Sequence, residues 1–181
     1  SPSSTTVYTV NGTSAFGCIG VPISQTISVL STPILTVSAS PTICAGQSAS
    51  LSVIGASNYT WSPATSLNTS IGASVVATPP ASVIYTVNGS NAIGCVGSNT
   101  LDVAVIANPN ISVSASPLTI CTGSTSTLTA SGATAYTWSP SSSLSSINSS
   151  VTVASPIITT TYIVVGSNTL GTILCTSFKT I

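Results

Sequence analysis

Charge is almost absent from this chain. Its 181 residues include one Asp (Asp102) and one Lys (Lys179), with no Glu, no Arg, no His and no Met. General acid and base catalysis needs a group that exchanges protons near neutral pH, and a nucleophilic Ser or Thr needs such a group beside it. A calcium or magnesium cage draws on several carboxylate oxygens, and a zinc site on His or clustered Cys. The five cysteines lie far apart with no C-x-x-C pair. Phosphate neutralisation takes several Lys or Arg, so nucleic acid is excluded as a partner. The sequence offers no catalytic residue, no metal-ligating set and no cofactor-binding set. Apolar residues never run unbroken for the roughly 18 positions that a spanning helix needs, which argues against membrane insertion. No long stretch shows a helical period with caps at its ends.

What is present is small, polar or apolar, and regularly alternating. Hydrophobic residues make up 43% of the chain and its mean hydropathy is +0.62. Segments such as "TLDVAVI" (Thr100 to Ile106), "ASLSV" (Ala49 to Val53) and "VTVAS" (Val151 to Ser155) set Val, Leu or Ala against Ser, Thr or Asp at period two. That is the pattern of strands with one face in a core, and it predicts an all-β protein. A net charge of zero also removes the long-range repulsion that keeps soluble domains apart. Self-association is expected, with solubility supplied by hydroxyls and amides or by glycans.

The pentapeptide "YTWSP" occurs twice, at Tyr59 to Pro63 and Tyr136 to Pro140, and holds the two tryptophans, Trp61 and Trp138. They are 77 positions apart, as are Cys44 and Cys121, Leu51 and Leu128, and Pro63 and Pro140. Tyr8, Tyr85 and Tyr162 carry the same step along the whole chain. Internal repeats of this kind define modules. Residues 1–31 match only the last part of a unit, 32–107 form one unit, and 108–181 form another whose last strand is cut short.

In the middle unit, strands are predicted near Ile34–Ser40 (A), Ser48–Ile54 (B), Asn58–Ser62 (C), Ala73–Ala77 (E), Val83–Asn91 (F) and Asn99–Ile106 (G), with one or two short strands in "ATSLNTS". Pro41, Gly46, Gly55, Pro63, Pro79 with Pro80, and Gly94 with Gly97 mark the corners. About seven short strands in about 77 residues describe a small immunoglobulin-like β-sandwich. Trp61 and Trp138, on strand C, are then expected in the core between the sheets, with stacking on carbohydrate as the competing role. Tyr85 and Tyr162 open strand F as the tyrosine corner of such sandwiches does, with the hydroxyl tied to nearby backbone. Asn88-Gly89 is a strong hairpin signal that would split strand F. The third unit has Val165-Gly166 there, and Val is strongly disfavoured at positive φ, so strand F is expected to run through.

The order "SASPTICAGQSASL", "YTWSP", "ATP", "YTVNGSNAIGC" resembles the tandem immunoglobulin-like or PKD-like repeats of large secreted surface proteins of Bacteroidota, of the gliding-associated adhesin type. The resemblance implies export, a modular rod and a structural or adhesive task; typical members carry many more charged residues. Each full unit has one Cys before strand B and one in the F–G turn, which agrees with an oxidising compartment. Recurrence of the two together predicts Cys44 with Cys95 and Cys121 with Cys175. The A–B and F–G turns lie at opposite ends of a standard sandwich, so Cys44 with Cys175, across successive units, is the competing scheme. Cys18 has no partner in either.

The chain opens where strand F begins and closes short of the middle unit's last strand end. It reads as a window of a longer tandem protein, or as a processed subunit whose incomplete sandwich is completed by a neighbour's strand. Six N-x-S/T sequons, at Asn11, Asn58, Asn68, Asn88, Asn110 and Asn148, and Ser-rich runs such as "SPSSSLSSINSS" are candidate glycosylation sites. The expected function is a structural component of an extracellular filament or cell-surface stalk, built from self-associating modules. The alternative is an adhesin module that holds a polysaccharide or host ligand in its loops, although those loops offer mostly Ser, Thr, Ala and Gly.

Overall fold

The computed structural model describes all residues, Ser1–Ile181, and contains fifteen strands and no helix. β1 (Thr6–Val10) and β2 (Ile23–Ile27) pair antiparallel as a separate two-stranded sheet. β3 (Thr36–Val37), β4 (Thr42–Cys44), β5 (Ala49–Ile54), β6 (Asn58–Ser62), β7 (Ser74–Ala77), β8 (Val83–Ser90) and β9 (Val96–Ile106) form the first sandwich. One of its sheets has the order β3-β5-β7 and the other β4-β9-β8-β6. β10 (Ser112–Ser116), β11 (Ser126–Ser131), β12 (Ala135–Ser139), β13 (Val151–Ala154), β14 (Ile163–Leu170) and β15 (Ile173–Thr180) form the second, with sheets β10-β11-β13 and β12-β14-β15. The protein is all-β, built of tandem immunoglobulin-like sandwiches.

The expected strand A is divided. β3 pairs antiparallel with β5 in one sheet, and β4 pairs parallel with β9 in the other. Pro41 stands between them. A proline has no N–H for a ladder, so the chain leaves one sheet there and joins the opposite one. "ATSLNTS" forms no strand; Leu67 makes only an isolated bridge to Ala77.

Alternation sets which side chains meet between the sheets. β5 reads buried, exposed, buried from Ala49 onward, and Leu51, Val53, Val75, Tyr85, Val87 and Val103 all lie inside with Trp61. β8 runs unbroken through Asn88-Gly89. Gly89 serves packing instead of a turn, because a Cβ there would lie 2.7 Å from Leu35 Cδ2 and 2.8 Å from Ala56 Cβ. Gly166 repeats this against Ile111 and Ala133. Gly55 and Gly132 do require glycine's backbone freedom: their φ values are +110° and +96°, and a Cβ would strike the carbonyl oxygens of Ile34 and Asn110.

The two sandwiches differ in core size, with thirteen buried apolar residues in the first and seven in the second. Ala49 and Val75 give way to Ser126 and Thr152 one repeat later, and Val53 to Ala130. The buried hydroxyls are satisfied, since Ser126 Oγ donates to Pro117 O at 2.6 Å and Thr152 Oγ1 to Ser146 O at 2.6 Å. They still contribute less than the apolar groups they replace.

Each sandwich holds one tryptophan, so the cores can be followed separately. With the disulfide reduced, Trp138→Phe leaves Trp61 to report on the first sandwich, and Trp61→Phe leaves Trp138 to report on the second. Urea titration of the two variants by fluorescence should give the lower midpoint for the Trp138 signal. Trp138→Ala should destabilise the second sandwich by about 3–5 kcal/mol. Coincident midpoints would show that core size does not rank the two.

Candidate interaction surface

The four aromatic residues singled out in the sequence all lie inside. Trp61 and Trp138 are buried and donate their Nε1–H to Gly72 O at 3.0 Å and Ser149 O at 2.8 Å. Neither presents a face to solvent on which a sugar could stack. Tyr85 and Tyr162 are also buried, but their hydroxyls do not tie back to backbone a few residues upstream. Tyr85 donates weakly to Thr65 O at 3.4 Å, and the Tyr162 hydroxyl meets Ser143 Oγ, so both reach the segment after strand C. Burial raises the pKa of Tyr85 above its usual value. Tyr59 and Tyr136, which the sequence reading passed over, close the preceding turn: Tyr59 OH accepts from Ala56 N and donates to Ala56 O, both at 2.7 Å, and Tyr136 does the same with Ala133 at 2.9 Å. Their signal was the repeated pentapeptide itself.

The cysteines require a correction. Cys44 is bonded to Cys175, with Cα atoms 5.6 Å apart, while Cys18, Cys95 and Cys121 are free. The pairs Cys44–Cys95 and Cys121–Cys175 do not form. Their turns lie at opposite ends of one sandwich, beyond the roughly 7 Å that a disulfide spans. Successive units bring unlike ends together, and the bond staples the end of β4 in the first sandwich to β15 in the second.

Two surfaces are left without cover. The first is the β1–β2 hairpin. Tyr8, Val10 and Ile27 take the register positions of Tyr85, Val87 and Val103, which are each 0% exposed, yet here they are 49%, 70% and 44% exposed. Phe16 in its loop is 96% exposed. The second is a cavity of about 400 Å³ in the second sandwich, lined by Leu118, Ile120, Leu128, Tyr162 and Ile181 among others. The register explains it. Tyr85 faces Leu101, and Tyr162 exchanges both backbone hydrogen bonds with Ile181, so Ile181 stands in the place of Leu101. Ile120 lies outside any strand, whereas Ile43 is drawn inward on β4.

That register also separates the two charges. They are 77 positions apart in sequence, but Asp102 faces Ile84 and Lys179 faces Val164, the counterpart of Val87. The β14–β15 hairpin is three residues longer, so Lys179 matches Asn99 instead. All six sequon asparagines are exposed. Asn68 uses Oδ1 to accept from Val76 N at 2.7 Å, and Asn58 and Asn88 lie near each other on neighbouring strands, Asn88 opposite Thr60.

No protein-family model and no curated protein sequence matches the chain. Among solved structures, the N-terminal eight Ig domains of Down Syndrome Cell Adhesion Molecule isoform 1.30.30 are similar at TM-score 0.54 and 15% identity, over 96% of this chain and 30% of that one. Extracellular cadherin domains 1–4 of protocadherin gamma B7 are similar at TM-score 0.39 and 10% identity, over 100% of this chain and 64% of that one. The chain thus spans under a third of the first of these structures. The first likeness concerns the fold, and it agrees with the immunoglobulin-like sandwiches described above.

Two measurements test this surface. Cys175→Ser should lower the stability of the stapled pair by about 2–5 kcal/mol, read from the urea midpoint under oxidising conditions, and a non-reducing peptide map of the parent chain should contain the Cys44–Cys175 crosslink. Tyr85 resists ionisation in the folded state, so its contribution is complete below pH 10 and is lost as pH rises past the usual pKa of 10.0. Tyr85→Phe should therefore flatten the loss of stability above pH 10 while changing stability at pH 7 by under about 1.5 kcal/mol.

Proposed function

We propose that the chain is a non-catalytic structural module of an extracellular filament or cell-surface stalk, and that it associates with copies of itself. The observation that carries this reading is the near absence of charge on tandem sandwiches that are stapled end to end by Cys44–Cys175. Burying an exposed apolar side chain such as Val10 or Ile27 contributes about 1.5–3 kcal/mol, and no net charge opposes the approach of a second copy.

An extracellular location is supported by the disulfide and by the adhesion-molecule fold likeness, together with the Bacteroidota surface-repeat resemblance of the sequence. No helix is long and apolar enough to cross a membrane. Glycans on the exposed sequon asparagines would hydrate a surface that charge cannot, and would block sideways edge pairing. The adhesin alternative has less support, because the loops present few aromatic, charged or amide groups.

The test is assembly of the purified full chain, followed by sedimentation and negative-stain microscopy. Val10→Asp combined with Ile27→Asp should weaken self-association by about a hundredfold or more. Native material should also exceed its 17.8 kDa polypeptide mass by sugar-sized increments. A wild-type chain that stays monomeric at high concentration and carries no added mass would overturn the reading.

A further inference from the structure

A disulfide is a covalent short cut, and its placement decides which part of a chain can be pulled straight. The Cys44–Cys175 bond spans 131 residues and holds its two Cα atoms 5.6 Å apart. Nearly all of both sandwiches lies inside that interval, because β5 begins at Ala49 and β14 ends at Leu170. Of the residues buried in the two cores, only Leu35 and Ile43 stand outside it. The strands that precede the bond, β3 and β4, are the outermost of their sheets.

We propose that the bond makes the tandem pair a load bypass: tension that enters the chain before Cys44 and leaves it after Cys175 crosses the two sulfur atoms, and the strands between them stay unloaded. This deepens the stalk reading, on which its use rests. It holds wherever the two pulling points stand outside the bonded interval.

Tension favours an unfolded segment by the force multiplied by the length that unfolding releases. For residues 45–174 that length is close to nil, since their ends stay one disulfide apart whether the segment is folded or not. Without the bond the same 131-residue interval would yield about 430–470 Å of extended chain, and force would favour its unfolding steeply. Reduction therefore turns an inextensible pair into an extensible one.

Both anchors are set in strands. Thr42, Ile43 and Cys44 pair with Ala104, Val105 and Ile106, and the next N–H, that of Ala45, donates to Ile106 O at 2.8 Å. Cys175 lies within β15 opposite Asn168 and is 1% exposed. Its sulfur is closed to a reducing thiol, which leaves the half-buried Cys44 as the point of attack. A pairing within one unit, Cys44 with Cys95 or Cys121 with Cys175, would have enclosed a single sandwich and left residues 107–111, between β9 and β10, in the path of the load. The bond between units takes both cores and that connection out of the path together.

The test pulls the full chain between peptide tags fused to its two ends in a single-molecule force experiment, first under oxidising conditions and then with reductant. Oxidised wild type should reach about 160–180 Å of extended chain and stop, and reductant or Cys44→Ser should add about 430–470 Å, released in separate steps by the two cores. Those steps in the reduced wild type report that both sandwiches were folded at the outset. Cys95→Ser and Cys121→Ser, which remove neither half of the bond, should keep the short limit. An oxidised wild type that extends to the full length, or that releases one sandwich as a bond within the other would allow, would overturn the inference. Loss of the short limit in Cys95→Ser or Cys121→Ser would overturn it too, by placing that cysteine in the lock. Chains that keep the short limit but never assemble in the sedimentation test would support the bypass and sink the self-association reading.

Discussion

Each sandwich depends on one indole. Trp61 lies on β6 opposite Val87 of β8, and Trp138 on β12 opposite Val164 of β14, so both sit in the same register of the same sheet. Each then sends its N–H across to a carbonyl eleven residues further on, Gly72 or Ser149. One side chain thereby fills the space between the sheets and fastens the long crossing segment over it. A large aromatic with a polar tip is suited to both tasks, because its ring supplies apolar area and its N–H reaches a partner without leaving a buried donor unpaired. In the second sandwich, where Ser126 and Thr152 replace apolar neighbours, the indole supplies a larger share of the remaining core.

Much of this was legible in the sequence. Strands B, C, E and F could be placed within a residue or two, because alternation in "ASLSVI" and "NYTWS" is bounded by glycine and proline. The continuity of β8 through Asn88-Gly89 followed from the third unit's Val165, although the reason Gly89 is glycine did not: it is the nearness of Leu35 and Ala56, which no local pattern reveals. The division of strand A was hidden for a related reason. Pro41 marks a break, but only the partners of β3 and β4 show that the chain changes sheets there.

The cysteines and the last strand show where a repeat can mislead. Recurrence argued that the two cysteines of a unit belong together, whereas disulfide reach made that pairing impossible and placed the bond between units. The step of 77 put Lys179 level with Asp102, yet three extra residues in the β14–β15 hairpin shift the strand beyond it. A hairpin absorbs such an insertion at its tip without disturbing the core, so sequence distance and structural register part company after the turn.

On the proposed self-association, the scarcity of charge decides how order would arise between copies. In most proteins, opposed charges steer encounter and penalise wrong registers over distances near the Debye length. A chain with one Asp and one Lys has almost none of that steering, and apolar contact alone is non-directional. Direction must come from groups with fixed geometry, which here are the backbone edges of strands and the sulfur atoms. A junction between like positions would close into a symmetric pair and stop. The internal bond joins unlike positions, one at the end of β4 and one on the β14–β15 hairpin, so the contact between successive sandwiches is head-to-tail and has a direction.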